Sequence, residues 1–123
     1  MRALQFINVK HSSEELINFL RFTCEYLEID SIPKIKLLDK PIRSSDANSF
    51  AAFQPSSNTI ILYTKNRHIL DVMRSLAHEM VHYKQSMTGR ELDGSTGSTD
   101  ENEANAVAGQ IMRLYGKKHP KLY

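Results

Sequence analysis

The 123-residue chain has a single cysteine, Cys24. No disulfide can therefore form within it, and a chain that dispenses with cross-links fits a reducing compartment. Cys24 falls among Leu20, Phe22 and Leu27 in a helical pattern, where a buried, inert thiol is expected rather than a nucleophile. Long hydrophobic runs are missing as well. No stretch approaches the roughly 20 apolar residues of a membrane-spanning helix, and Met1-Arg2-Ala3-Leu4-Gln5-Phe6 lacks the apolar region and small-residue cleavage site of a signal peptide. These absences imply a cytoplasmic protein, of a cell or of an infected host, with no membrane partner. A surplus of one charge is absent too. The formal net charge is only +2 with Lys and Arg evenly spread, so electrostatics gives no reason to expect a nucleic-acid partner. The basic residues Lys117, Lys118 and Lys121 read as a solvated C-terminus.

What is present is an ordinary globular composition, 41% hydrophobic and 24% charged, enough for one modest core. A single domain spanning 1–123 is expected, acting as a monomer, with no internal repeat. Ser12 and Glu15 form a capping-box pattern, after which Leu16, Ile17, Leu20, Cys24 and Leu27 recur at helical spacing to near Glu28. Lys34-Ile35-Lys36-Leu37-Leu38 alternates as a half-buried strand should. Two more strands are expected at Ser49 to Phe53 and Thr59 to Tyr63, joined by the hairpin-like connector Gln54-Pro55-Ser56-Ser57-Asn58. A long helix starts at Ile69, with Ile69, Met73, Leu76, Met80, Tyr83 and Met87 as its apolar seam and Gly89 placed to end it. After a Gly- and Ser-rich connector from Thr88 to Asp100, a last helix is expected from about Asp100 to Tyr115, stopped by Gly116 and Pro120. The pattern is α+β, with about three strands between an N-terminal helix and two C-terminal ones.

The long helix contains His78-Glu79-Met80-Val81-His82. Four-residue spacing puts both imidazoles one turn apart on one face, where they can bind the same zinc ion. The intervening Glu79 lies on a neighbouring strip, free to act as general base on a water. His78 and His82 fall nearly opposite the apolar seam, beside Asp71, Ser75 and Gln85, and so are not expected to be core residues.

Catalytic zinc sites usually keep three protein ligands. Beyond His82 the only histidine is His119, and no His-x-x-Gly-x-x-His continuation exists, so the carboxylates of Asp100-Glu101-Asn102-Glu103 are the available donors. Helix capping competes for them, through Ser98 with Glu101 or Asp100 with Glu103. Both glutamates border the stripe of Ala104, Val107, Ala108, Ile111 and Tyr115, so periodicity does not choose between them.

His78 to His82, followed after a loop by Glu101-Asn102-Glu103-Ala104-Asn105, resembles the gluzincin metallopeptidases. With Ala108, the run Glu101 to Asn105 is also similar to small metallopeptidases of the IrrE/ImmA type, and more distantly to membrane peptidases of the HtpX type without their membrane helices. The layout matches from Ser49 to about Tyr115, the motifs only at His78 to His82 and Glu101 to Ala108; Val81 stands where many relatives have Gly. The resemblance implies a zincin-like fold, with an active-site helix and a C-terminal ligand helix. It further implies a zinc-dependent metallopeptidase, an endopeptidase rather than an exopeptidase, that hydrolyses protein or peptide substrates with a zinc-bound water activated by Glu79. Zn2+ would be held by His78, His82 and Glu101. Asn105, one turn after Glu101, can support a ligand by hydrogen bonding, whereas Val107, one turn after Glu103, cannot.

An oxyanion donor is also needed; Tyr83, Tyr115, His119 and Arg113 are the side chains to consider, and the sequence does not choose among them. The strand pair before the active helix is expected to provide an edge for an extended peptide, with Phe50 and Phe53 either lining a pocket or packing in the core. The alternative function is a catalytically silent, zinc-braced module that binds peptides or proteins.

Overall fold

In a computed structural model describing residues 6–7, 13–39, 42–43, 48–88 and 98–122, the chain runs β1 (Phe6–Ile7), α1 (Ser13–Leu27), β2 (Lys34–Leu38), β3 (Ile42–Arg43), β4 (Asn48–Ser49), β5 (Ala51–Gln54), β6 (Thr59–Tyr63), α2 (Ile69–Ser86) and α3 (Thr99–Lys118), then a 3-10 turn at Pro120–Leu122. The class is α+β, with three α-helices against a small mixed sheet. Its strand order is β1-β2-β6-β5, parallel across the first three and antiparallel at β5, which forms an edge. Strand alternation turns Ile35, Leu37, Ile60 and Leu62 to the helices, where all four are buried. Phe19, Leu20 and Cys24 of α1 and Met73, Leu76 and Met80 of α2, all fully buried, complete the core.

Local chemistry accounts for the element ends. Glu28 adopts φ 58°, and the Ile29 and Glu28 amides close back on the Cys24 and Glu25 carbonyls, a Schellman closure built on a non-glycine residue. The turn Pro55 to Asn58 uses Asn58 at φ 53°, a conformation Asn tolerates. Helix α2 is capped by His68, whose Nδ1 accepts the Leu70 N–H.

Two expectations need correction. Ser49 to Phe53 is not one strand: Asn48–Ser49 pairs with β3, Ala51–Gln54 pairs with β6, and the partner changes at Phe50. Gly116 does not stop α3, which continues to Lys118, since a lone glycine costs a helix only about 1 kcal/mol. The stop comes at Pro120, which lacks the amide to continue. The alternation pattern does not foresee the two-residue strand β1, which is too short to show a period. Ser12 and Gly89, expected to cap α1 and end α2, lie outside the described residues. Among the described residues, no helix is long and apolar enough to cross a membrane.

Candidate metal centre

Helix α2 is closed off on more than one face. Its seam residues Met73, Leu76 and Met80 are buried in the core, while His82, Gln85 and Glu79, on other strips, are buried as well. The His strip lies outside the hydrophobic core, yet most of it is not open to solvent: His82 is 8% exposed and Gln85 3%, while His78 is half-buried. The cause is α3, which lies along α2. Ala104 and Ala108 are buried on α3, and such small side chains permit a close approach. Ala106 is exposed and Gly109 has open space where a Cβ would stand, so neither serves that approach.

The N-terminus of α3 brings Glu101 to the two histidines. Ser98 is the N-cap, its hydroxyl accepting the Glu101 amide at 3.1 Å. The Glu101 carboxylate spans both rings: Oε1 lies 2.8 Å from His78 Nε2 and Oε2 3.0 Å from His82 Nε2. One donor atom from each of the three residues falls within 4.8 Å of the others, an arrangement that can hold a metal ion. Donors about 2.0–2.1 Å from a tetrahedral ion stand about 3.4 Å apart, so seating an ion would open the Glu101 contacts slightly and draw together any pair near the 4.8 Å limit. Asn105, one turn along α3, hydrogen-bonds His78. Burial pushes the His78 pKa down, an effect aided by His82 and opposed by Glu101 and Asn105. A neutral ring is what a metal ligand requires.

Glu79 lies beside this cluster, with 8% exposure. Burial drives its pKa up to about 7; His82 pulls it down, Glu101 pushes it up, and a hydrogen bond from the Phe53 backbone amide pulls it down. That amide belongs to the edge strand. Tyr63 N–H donates to Phe50 O across a directly opposed pair, so in the antiparallel ladder residues 50, 52 and 54 turn their backbone groups to β6, and 51 and 53 turn theirs outward. The Phe53 amide thus reaches Glu79 from the free side of β5.

The oxyanion candidates do not gather at this cluster. Tyr83 is engaged with Ser31 Oγ at 2.6 Å and packs against Phe53. Tyr115 packs against Phe19 and Phe22 and stacks on His119. With Arg113, those two residues belong to the opposite end of α3, about 20 Å along the axis from Glu101. Phe53 is half-buried; Phe50 is 54% exposed, stacked on Tyr63 with the Arg67 guanidinium 4.6 Å from its ring centre. By periodicity Gln85 is only a neighbour of the histidines on their strip, yet it binds His82, Asp100 and Glu103. Its position three residues after His82 is the one signal in the sequence that could reveal this.

No protein-family model, curated protein or solved structure matches this chain.

Proposed function

We propose that the protein is a zinc-dependent metallopeptidase with a zincin-like fold of the gluzincin kind, in which His78, His82 and Glu101 bind Zn2+ and Glu79 is the general base. The observation that carries this reading is the pairing of a three-donor cluster with a buried carboxylate whose pKa is raised to about 7. Two imidazoles and a carboxylate are a donor set that suits zinc, and three protein ligands are the number that catalytic sites keep. Zinc bound there supplies Lewis acidity to a water and to a scissile carbonyl.

The chain's own groups do the rest. Glu79 takes a proton from the attacking water at its carboxylate and returns it to the leaving amine. The outward backbone groups of Ala51 and the Phe53 carbonyl on β5 offer an extended peptide part of the pairing that another strand would make, the Phe53 amide being held by Glu79. Glu79 sits where that edge meets the cluster, which favours internal peptide bonds as substrate. A peptide-binding module merely braced by zinc has no use for a buried base at this point, so Glu79 favours catalysis over that alternative.

Glu79→Gln tests the reading. Loaded with zinc and folded as the parent, it should cleave an unstructured protein substrate roughly 10²–10⁴-fold more slowly. Equal cleavage by parent and variant would remove Glu79 from the mechanism.

A further inference from the structure

Gln85 has no part in the chemistry proposed above, yet it is among the most buried polar side chains of the described residues, at 3% exposure. Its amide is held from two sides. Nε2 donates to the backbone carbonyl of Asp100 at 3.0 Å and to Glu103 Oε1 at 2.8 Å. A carbonyl and an ionised carboxylate accept only, so the NH2 end of Gln85 must face α3 and its oxygen must face His82. That oxygen lies 2.7 Å from His82 Nδ1. An amide oxygen cannot donate, so His82 carries its proton on Nδ1. In the neutral ring, the form a metal ligand takes, that leaves the Nε2 lone pair to bind. It points at Glu101 Oε2, 3.0 Å away. A cation seated between that lone pair and the carboxylate would bind both.

We infer that Gln85 is a positioning residue that fixes His82 in the tautomer able to bind metal through Nε2, and that Glu103 acts at one remove by orienting Gln85. The inference rests on the proposed zinc site and deepens it. It gives Glu103, the competing candidate for third ligand, a different role, because its carboxylate reaches Gln85 while that of Glu101, about 200° away around the helix, reaches the histidines. It also makes α3 answerable for both coordination and tautomer, since Asp100 O, Glu101 and Glu103 all lie in its first turn and a half.

Zinc-loaded protein labelled with 15N at histidine tests this directly. Long-range 1H–15N correlation of the parent should show His82 protonated at Nδ1 and metal-bound at Nε2, with the Nδ1 proton slow to exchange. Gln85→Met keeps the side-chain length and removes the acceptor. In that variant the Nδ1 proton should exchange rapidly and zinc affinity, measured by chelator competition, should fall roughly 10- to 100-fold. Glu103→Ala should fall between parent and Gln85→Met, because the Asp100 carbonyl still holds the amide. Zinc bound through His82 Nδ1 in the parent overturns the inference while leaving the zinc site standing, and that measurement needs no variant to fold. Parent affinity retained in Gln85→Met overturns it as well. A parent that binds no zinc overturns the proposed function and this inference together.

Discussion

Two strips of α2 are covered by opposite means. On one, Met73, Leu76 and Met80 are fully buried against the core, each contributing about 1.5–3 kcal/mol by leaving water. On the other, His78, His82 and Gln85 meet Glu101, Glu103 and Asn105 of α3 through polar contacts alone. Burying polar groups costs free energy unless each finds a partner, and among the described residues no buried side-chain nitrogen or oxygen lacks one. Well-packed hydrocarbon at the second strip would hold the two helices together at least as well. The seam therefore accounts for stability, and the polar strip is better explained by what it can bind.

The comparison breaks most readily at the histidines. His78→Ala and His82→Ala should each weaken zinc binding by more than about 100-fold, the upper end of what losing a supporting partner costs. Both should leave the fold intact by circular dichroism. If either kept the parent's zinc affinity, the polar strip would not be the metal site.

The seam should show the opposite pattern. Leu76→Ala is expected to lower stability by about 2–5 kcal/mol in a denaturant titration, with zinc stoichiometry unchanged in whatever fraction remains folded. A loss of zinc without a loss of stability would erase the division between the strips.

A smaller effect separates them by pH. In metal-free protein the Glu79 carboxyl is raised from 4.5 to about 7, chiefly by burial. Between those values the folded state holds a proton that the unfolded state has lost, so this group's contribution falls as pH rises through the window. Glu79→Gln removes that dependence. Thermal unfolding of both proteins in chelator should show the parent losing stability relative to the variant as pH climbs from about 4.5 to about 7. Parallel profiles would mean that Glu79 is not held in the protonated form.

The sequence shows these two strips unequally. Periodicity finds the seam from Met73 to Tyr83, because apolar residues at helical spacing have one way to be buried, though Met87 at its end is exposed; the hairpin is legible from the turn residues Pro55 to Asn58, while the split of its first strand at Phe50 is not. Periodicity says less of the polar strip. Nothing within α2 says that a second helix will cover His82 and Gln85, because that depends on contacts across a gap in sequence. The relation of Glu101 to Asn105 is local, four residues along one helix, and so is open to reading from the sequence. Gln85 with Glu103 joins two helices and leaves no such trace. The hydrogen bond from Phe53 to Glu79 is a backbone contact, which side-chain patterns do not encode.

Zinc content of the purified protein, with Glu101→Ala and Glu103→Ala beside it, tests the central claim most directly. Elemental analysis of the parent should give close to one zinc per chain. Glu101→Ala should lose most of it and Glu103→Ala should keep most of it, with Asn105→Ala between them, since Asn105 supports His78 without binding metal. A parent free of zinc after purification and reconstitution, or Glu103→Ala as the metal-deficient variant, would contradict a site built on His78, His82 and Glu101.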